Sequence, residues 1–136
     1  MTRRSRAREV ALQILYQEDL NPGGDTALIE SFVEGRIQST EVREFAKSLI
    51  NGVRRRNLAE LDSQLEDIAD NWSLLRMAVI DRNVLRLATY EIIFSSTPGR
   101  VVINEAIELA KRYGSTQSSR FVNDIFDWVL ALYPRE

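Results

Sequence analysis

The chain has 136 residues, 44% of them apolar and 28% charged, a composition that fits one globular domain and excludes wholesale disorder. It contains no cysteine and no histidine, which excludes disulfides, thiolate chemistry, Cys/His zinc sites, histidine general bases and the Ser-His-Asp triad together. The net charge of −2 hides an asymmetry, because Arg3, Arg4, Arg6 and Arg8 give the first eight residues +4 and leave −6 on the other 128.

The apolar spacing is helical throughout rather than alternating. Residues 4–20 place Ala7, Val10, Ala11, Ile14 and Leu15 on one face, and Asn21-Pro-Gly-Gly24 stops that helix. Asp25 is a cap for a short helix to about Gly35, with Leu28, Phe32 and Val33 expected inward. Thr40 opens the cleanest stripe, Val42, Phe45, Ala46, Leu49, Ile50 and Val53. Asn57 and Glu60 have capping-box spacing ahead of Leu58, Leu61, Leu65 and Ile68. Residues 77–94 are the most apolar segment and read as a central helix, ended by Thr97-Pro-Gly99. A helix over 102–113 follows, with Lys111 and Arg112 in its last turn and Gly114 as its C′ residue. Ser118 starts the last helix, which runs to about Leu132 before Pro134. The expectation is an all-α chain of about seven helices, a single domain over residues 1–136 with a short basic arm at 1–8. No apolar run reaches the roughly 18 residues of a membrane span, and the first residues lack a signal peptide's apolar core, so a cytoplasmic protein is expected.

The six glycines form neither GxGxxG nor a P-loop, and the helically spaced Glu105 and Glu108 read as a solvated face. No catalytic residue, metal ligand or cofactor site is expected. Charge alone leaves two readings of the arginine cluster, a solvated terminal turn or an arm for site-limited RNA contact. On the first helix Arg6, Gln13, Tyr16 and Gln17 share a sector opposite Val10 and Ile14, with Arg3 beside it. Guanidinium groups serve phosphates, glutamine reads a base edge, and tyrosine stacks an unpaired base or fills a helix boundary. In the central helix Glu91 falls in the middle of the Ile80/Val84/Leu87/Ala88 face. A buried carboxylate without a partner would cost several kcal/mol, so Glu91 should meet an arginine, a tyrosine hydroxyl or the free N–H groups of a helix start.

Four blocks carry a more specific signal: Arg6-Ala-Arg-Glu-Val-Ala-Leu-Gln-Ile-Leu-Tyr-Gln17, Met77-Ala-Val-Ile-Asp-Arg-Asn-Val-Leu-Arg-Leu-Ala-Thr-Tyr-Glu91, Val102-Ile-Asn-Glu-Ala-Ile-Glu-Leu-Ala-Lys-Arg-Tyr-Gly114 and Phe121-Val-Asn123. In this order and spacing, from about residue 3 to residue 132, the chain resembles the NusB family of transcription antitermination factors. The resemblance implies two small helical bundles and a non-enzymatic role. It implies pairing with the ribosomal small-subunit protein NusE, binding of boxA-type RNA, and help to the elongation complex in ribosomal RNA operons. It places RNA on Arg3, Arg4, Arg6, Arg8 and Tyr16, beside the Gln13 of the same sector, and adds Phe121 and the loop around Gln117. Phe121 also continues a core stripe with Ile125, Trp128 and Leu132, so both readings of it stand. The protein partner is implied nearer the central helix, at Asp81 and Arg82.

The chain departs from the family pattern twice. Asp124 stands where the last motif usually continues with glycine, and few residues precede Arg3, which leads us to expect weaker RNA binding by the isolated protein. Two other readings follow from the sequence. NusB-like domains also occur attached to RNA cytosine methyltransferases, but this chain has no glycine-rich cofactor loop and no cysteine, so a separate subunit would have to supply catalysis. Apolar residues on both sides of 77–94 and 121–132 also allow a homodimer, with the arginines at a protein interface. If the four arginines meet phosphates, the salt dependence of single-stranded RNA binding has a log–log slope of about 3 at most.

Overall fold

The structure, a computed structural model, describes residues 3–23, 25–55, 63, 78–115 and 117–132. Among them the chain is all-α, with six helices and no strand: α1 (Arg3–Leu20), α2 (Thr26–Arg36), α3 (Thr40–Arg55), α4 (Val79–Phe94), α5 (Gly99–Tyr113) and α6 (Ser118–Leu132). The helix expected after Asn57 lies outside the described residues, as does Pro134. Among the described residues, no helix is long and apolar enough to cross a membrane.

The local chemistry accounts for most boundaries. Asp25 accepts the Ala27 N–H at 2.9 Å and caps α2. Before it, Gly23 has φ +91°, a left-handed turn that a side chain would resist. Arg43 in α3 donates to the carbonyls of Ile37 and Glu34, so one side chain closes the end of α2 and pins it to α3. The α5 helix begins at Gly99, three residues earlier than its pattern suggests. The N–H groups of Val101 and Val102 both reach the Pro98 carbonyl, and that bonding draws the β-branched residues into the first turn. Gly114 is not a left-handed C′ residue, since its φ is −96°. Steric room is what it supplies: a Cβ there would lie 2.5 Å from Ser118 Oγ and 2.7 Å from the Ala110 carbonyl. Ser118 Oγ accepts the Ser115 N–H at 2.9 Å in that close turn and starts α6.

Packing divides the described helices into two groups, α1–α2–α3 and α4–α5–α6, joined where α4 lies against α1 and α3. This is the two-bundle arrangement expected above. It also explains why 77–94 is so apolar: Val84, Leu85, Leu87, Ala88 and Ile92 face neighbours in both groups at once, so both sides of α4 are covered within the chain. One inward expectation fails. Leu28 is 70% exposed, because among the described residues α2 packs mainly on α1 and α3 and buries Val33 with part of Phe32 and Ile29 instead.

Candidate nucleic-acid interface

The arginine cluster is helical from Arg3 onward, so successive arginines point in different directions and meet different fates. Arg8 points inward. It is 4% exposed, and Glu91 opposite is 1% exposed. The pair is bidentate, Nε to Oε1 at 2.9 Å and Nη2 to Oε2 at 2.6 Å, while Nη1 reaches Glu105 at 3.0 Å. Burial alone would pull the Arg8 pKa down, but the hydrogen bonds and charge of Glu91, backed by Glu105, push it above the ordinary guanidinium value. Glu91 therefore has the arginine partner its position demanded. Arg8, expected among the RNA-contacting arginines, is committed to locking α1 onto α4, with only 4% of its side chain exposed.

Arg6 and Glu9 face the other flank of α1. The Glu9 carboxylate is buried and bridges two cations, Arg6 on its own helix and Arg112 at the end of α5, with Tyr113 donating a further bond. Burial would raise the Glu9 pKa, but the hydrogen bonds from Tyr113, Arg112 and Arg6 outweigh it and hold the carboxyl below its usual range. The guanidinium side chains above it stay outward, Arg6 40% and Arg112 52% exposed. One carboxylate thus fixes two outward cations from different helices.

Arg3 and Arg4 are exposed on the third flank. Arg3 donates to Ser39 Oγ, and the Arg4 guanidinium lies 4.3 Å from the centroid of the Phe45 ring. Below them opens a groove of about 420 Å³ lined by Val42, Phe45, Val101, Thr97 and Glu41. Gln117 is exposed beyond the opposite end of α5, a helix of 15 residues and so about 22 Å long. The side chain of Phe121 lies outside the described residues; Asp124 in the same helix points outward, as its charge requires.

The C-terminal end of α1 is a different site. Asp19 takes Arg82 Nε at 2.6 Å, Arg82 Nη2 at 3.0 Å, Arg86 Nη1 at 3.0 Å and Asn83 Nδ2 at 2.8 Å. Burial would raise the Asp19 pKa, but these donors lower it below the usual carboxylate range. Asp81 is half-buried, and its Oδ1 is shielded from solvent with no hydrogen-bond partner among the described residues. Tyr16 and Gln17 line a groove with Leu20, Leu28, Ile29 and Phe32 on the α2 side, while Gln13 is half-buried with an unpartnered Oε1. The sector expected to join Arg6, Gln13, Tyr16 and Gln17 is therefore split along the helix. Among the described residues no cluster of three or more acidic side chains could hold a metal ion.

The NusB family model matches residues 5–130. The chain is 46% identical over 134 residues to the transcription antitermination protein NusB of Anaeromyxobacter dehalogenans strain 2CP-1, covering 98% of this chain and 94% of the relative. The chain belongs to the NusB family. Among solved structures it is similar to T. maritima NusB, with TM-score 0.82, 38% identity, and 96% and 92% of the two chains covered. It is also similar to a chain in the crystal structure of antitermination factors NusB and NusE in complex with dsRNA, with TM-score 0.85, 32% identity, and 98% and 99% coverage.

On this NusB fold, two features of the basic flank have little signature in the sequence. Arg112 reads as a helix-terminal cation, favourable on dipole grounds alone, and its pairing with Glu9 of α1 depends on tertiary packing. Phe45 was assigned to the core, yet it is half-buried and floors the groove under Arg4. Its signal was present, because a stripe with an aromatic at one edge and arginines on the neighbouring helix is where a ring meets a guanidinium.

Proposed function

We propose that the chain acts as a non-enzymatic, cytoplasmic bacterial transcription antitermination factor, one RNA-binding domain spanning residues 1–136. It binds boxA-type single-stranded RNA together with the ribosomal small-subunit protein NusE and assists the elongation complex in ribosomal RNA operons. The observation that carries this reading is the set of outward guanidinium groups, Arg3, Arg4, Arg6 and Arg112, presented by α1 and α5 on a fold shared with NusB solved alongside NusE and RNA. Gln117 extends the RNA side. Gln13 lies toward the middle of α1 and Tyr16 near its C-terminal end, and Asp81 with Arg82 marks the partner side.

The mechanism is additive. The four arginines neutralise phosphates along one strand, and the Glu9 carboxylate keeps two of them in place before RNA arrives. The ends of α1 are separated by roughly 24 Å between Arg3 and Asp19, so RNA and protein partner approach different ends of one helix. The test is fluorescence anisotropy with a boxA-type RNA and a scrambled control, with and without NusE, across a salt series. Preferential binding that tightens with NusE, with a log–log slope of about 3 at most, is expected. Equal weak binding to both RNAs in every condition would refute the proposal.

A further inference from the structure

We infer that the groove under Arg4 is a pocket for one unpaired nucleobase of the bound RNA, floored by Phe45 and read at its rim by Glu41. This inference rests on the RNA-binding reading above and goes beyond it by naming a base site, its stacking platform and its polar contact.

The walls are apolar and come from two helices: Val42 and Phe45 from α3, Val101 from α5. Val101 is 44% exposed, an apolar side chain left facing open space at the groove's edge. The volume of about 420 Å³ lies in the range of about 300–1,000 Å³ typical of small-ligand sites. The rim, in contrast, is charged. Arg3 and Arg4 stand over the opening, so a polyanion delivers whatever enters it. An aromatic floor beneath a cationic mouth is the combination that single-stranded nucleic acid uses, because every base has a π-face and every nucleotide a phosphate.

The occupied positions in the groove sharpen the assignment. Arg4 already covers the Phe45 ring at 4.3 Å, and the buried Arg8 approaches the same ring at 5.3 Å. The planar Arg4 guanidinium holds the place that a planar base would take. Arg4 is exposed, so it can leave the ring for a phosphate as a base arrives. Of the two carboxylates lining the groove, Glu105 is already engaged by Arg8 and Ser5. Glu41 is exposed one helical turn from Phe45 and makes no ion pair with any described residue. A carboxylate accepts from an exocyclic amino group, so the pocket favours a base that carries one.

The experiment measures binding of the full-length chain with NusE to boxA-type RNAs in which each base in turn is replaced by an abasic site. In the unaltered chain one position should lose about tenfold in affinity. In Phe45→Leu, which keeps the apolar contact with the core, the intact RNA should already be about tenfold weaker, and the same abasic site should then cost little. Glu41→Ala, which removes the acceptor from an exposed position, supplies an independent readout that leaves the core untouched. If Glu41 reads an amino group, the variant weakens binding only of RNAs with an amino-bearing base at that position. If it is a bystander, loss of its charge strengthens binding of every RNA alike, and the inference is overturned. Affinity unchanged in Phe45→Leu also overturns it, as does loss of NusE binding alone, which would make the groove a protein contact. Those results leave the RNA-binding reading intact, whereas no RNA binding by the unaltered chain removes both.

Discussion

The Arg8–Glu91 pair is the most consequential polar contact between the two helical groups, and its removal can be worked through. Arg8→Met leaves the Glu91 carboxylate 1% exposed, with no other side-chain donor among the described residues. Breaking a buried pair by deleting one partner costs about 3–5 kcal/mol, against a total stability of about 5–15 kcal/mol for a domain. Glu91→Leu is milder, because Arg8 keeps Glu105 at 3.0 Å and Glu105 is 20% exposed to water. We therefore expect Arg8→Met near the top of that range and Glu91→Leu near the bottom. At about 3–5 °C per kcal/mol for a domain of this size, the melting temperature falls by about 15–25 °C in Arg8→Met and about 9–15 °C in Glu91→Leu. The double variant removes both charges and leaves apolar volume, so it should recover to within about 1–2 kcal/mol of the unaltered chain. Urea denaturation followed by circular dichroism measures all three. A loss below about 1 kcal/mol in Arg8→Met, or a double variant as unstable as the two singles added, would refute the reasoning. The folded double variant also decides what Arg8 does for RNA: unchanged affinity assigns it to the scaffold, and a lower salt slope returns it to the interface.

Three further outcomes follow from the same geometry. Arg112→Ala should weaken RNA binding and lower the magnitude of the salt slope by about 0.7, with little change in melting temperature; an unchanged slope in the anisotropy series removes Arg112 from the interface. Gly114→Ala should destabilise by about 1–3 kcal/mol in thermal denaturation, because the added Cβ would lie 2.7 Å from a backbone carbonyl that cannot swing away. Glu9 and Asp19 have folded pKa values below their unfolded ones, so their contribution is complete above the ordinary carboxyl range and is lost as pH falls through it toward the folded values. The urea midpoint should therefore drop on acidification below about pH 4.5, and Glu9→Gln with Asp19→Asn should be less stable at pH 7 yet show a flatter acid limb; an unchanged acid limb would count against both bridges.

Helix positions were legible because the 3.6-residue period is a local property, and burial of one face follows from it wherever a neighbour covers that face. Leu28 marks the limit: the pattern of α2 defines an apolar face wider than α1 and α3 cover, and Leu28 is the part left over. Arg8 marks a different limit. Counted as charge along the chain it belongs with Arg3, Arg4 and Arg6. Counted on the helix it precedes Ala11, Leu12 and Leu15 by three, four and seven residues, and all three are buried. The sequence thus contained two charges misplaced on apolar faces, Arg8 and Glu91, and each resolves the other. The pairing of Arg112 with Glu9, 103 residues apart in the chain, had no comparable local signal.

An acidic body carrying a basic interface looks contradictory until the carboxylates are followed to their partners. Glu9, Asp19, Glu91 and Glu105, four of the chain's 20 acidic residues, are each engaged by arginines from other helices and hold guanidinium groups in position. A buried carboxylate beneath two outward arginines lowers the net local charge, yet it removes the conformational freedom those side chains would otherwise lose on meeting a phosphate. The two effects act on different observables. Net charge governs the long-range approach of RNA and its salt dependence, whereas pre-positioning governs how long a bound strand stays. A fold that spends acidic residues in this way gives up some attraction at a distance for fixed cations at contact. On the proposed reading, RNA recognition then depends on the side-chain bridges that tie α1 to α5 rather than on how basic the chain is.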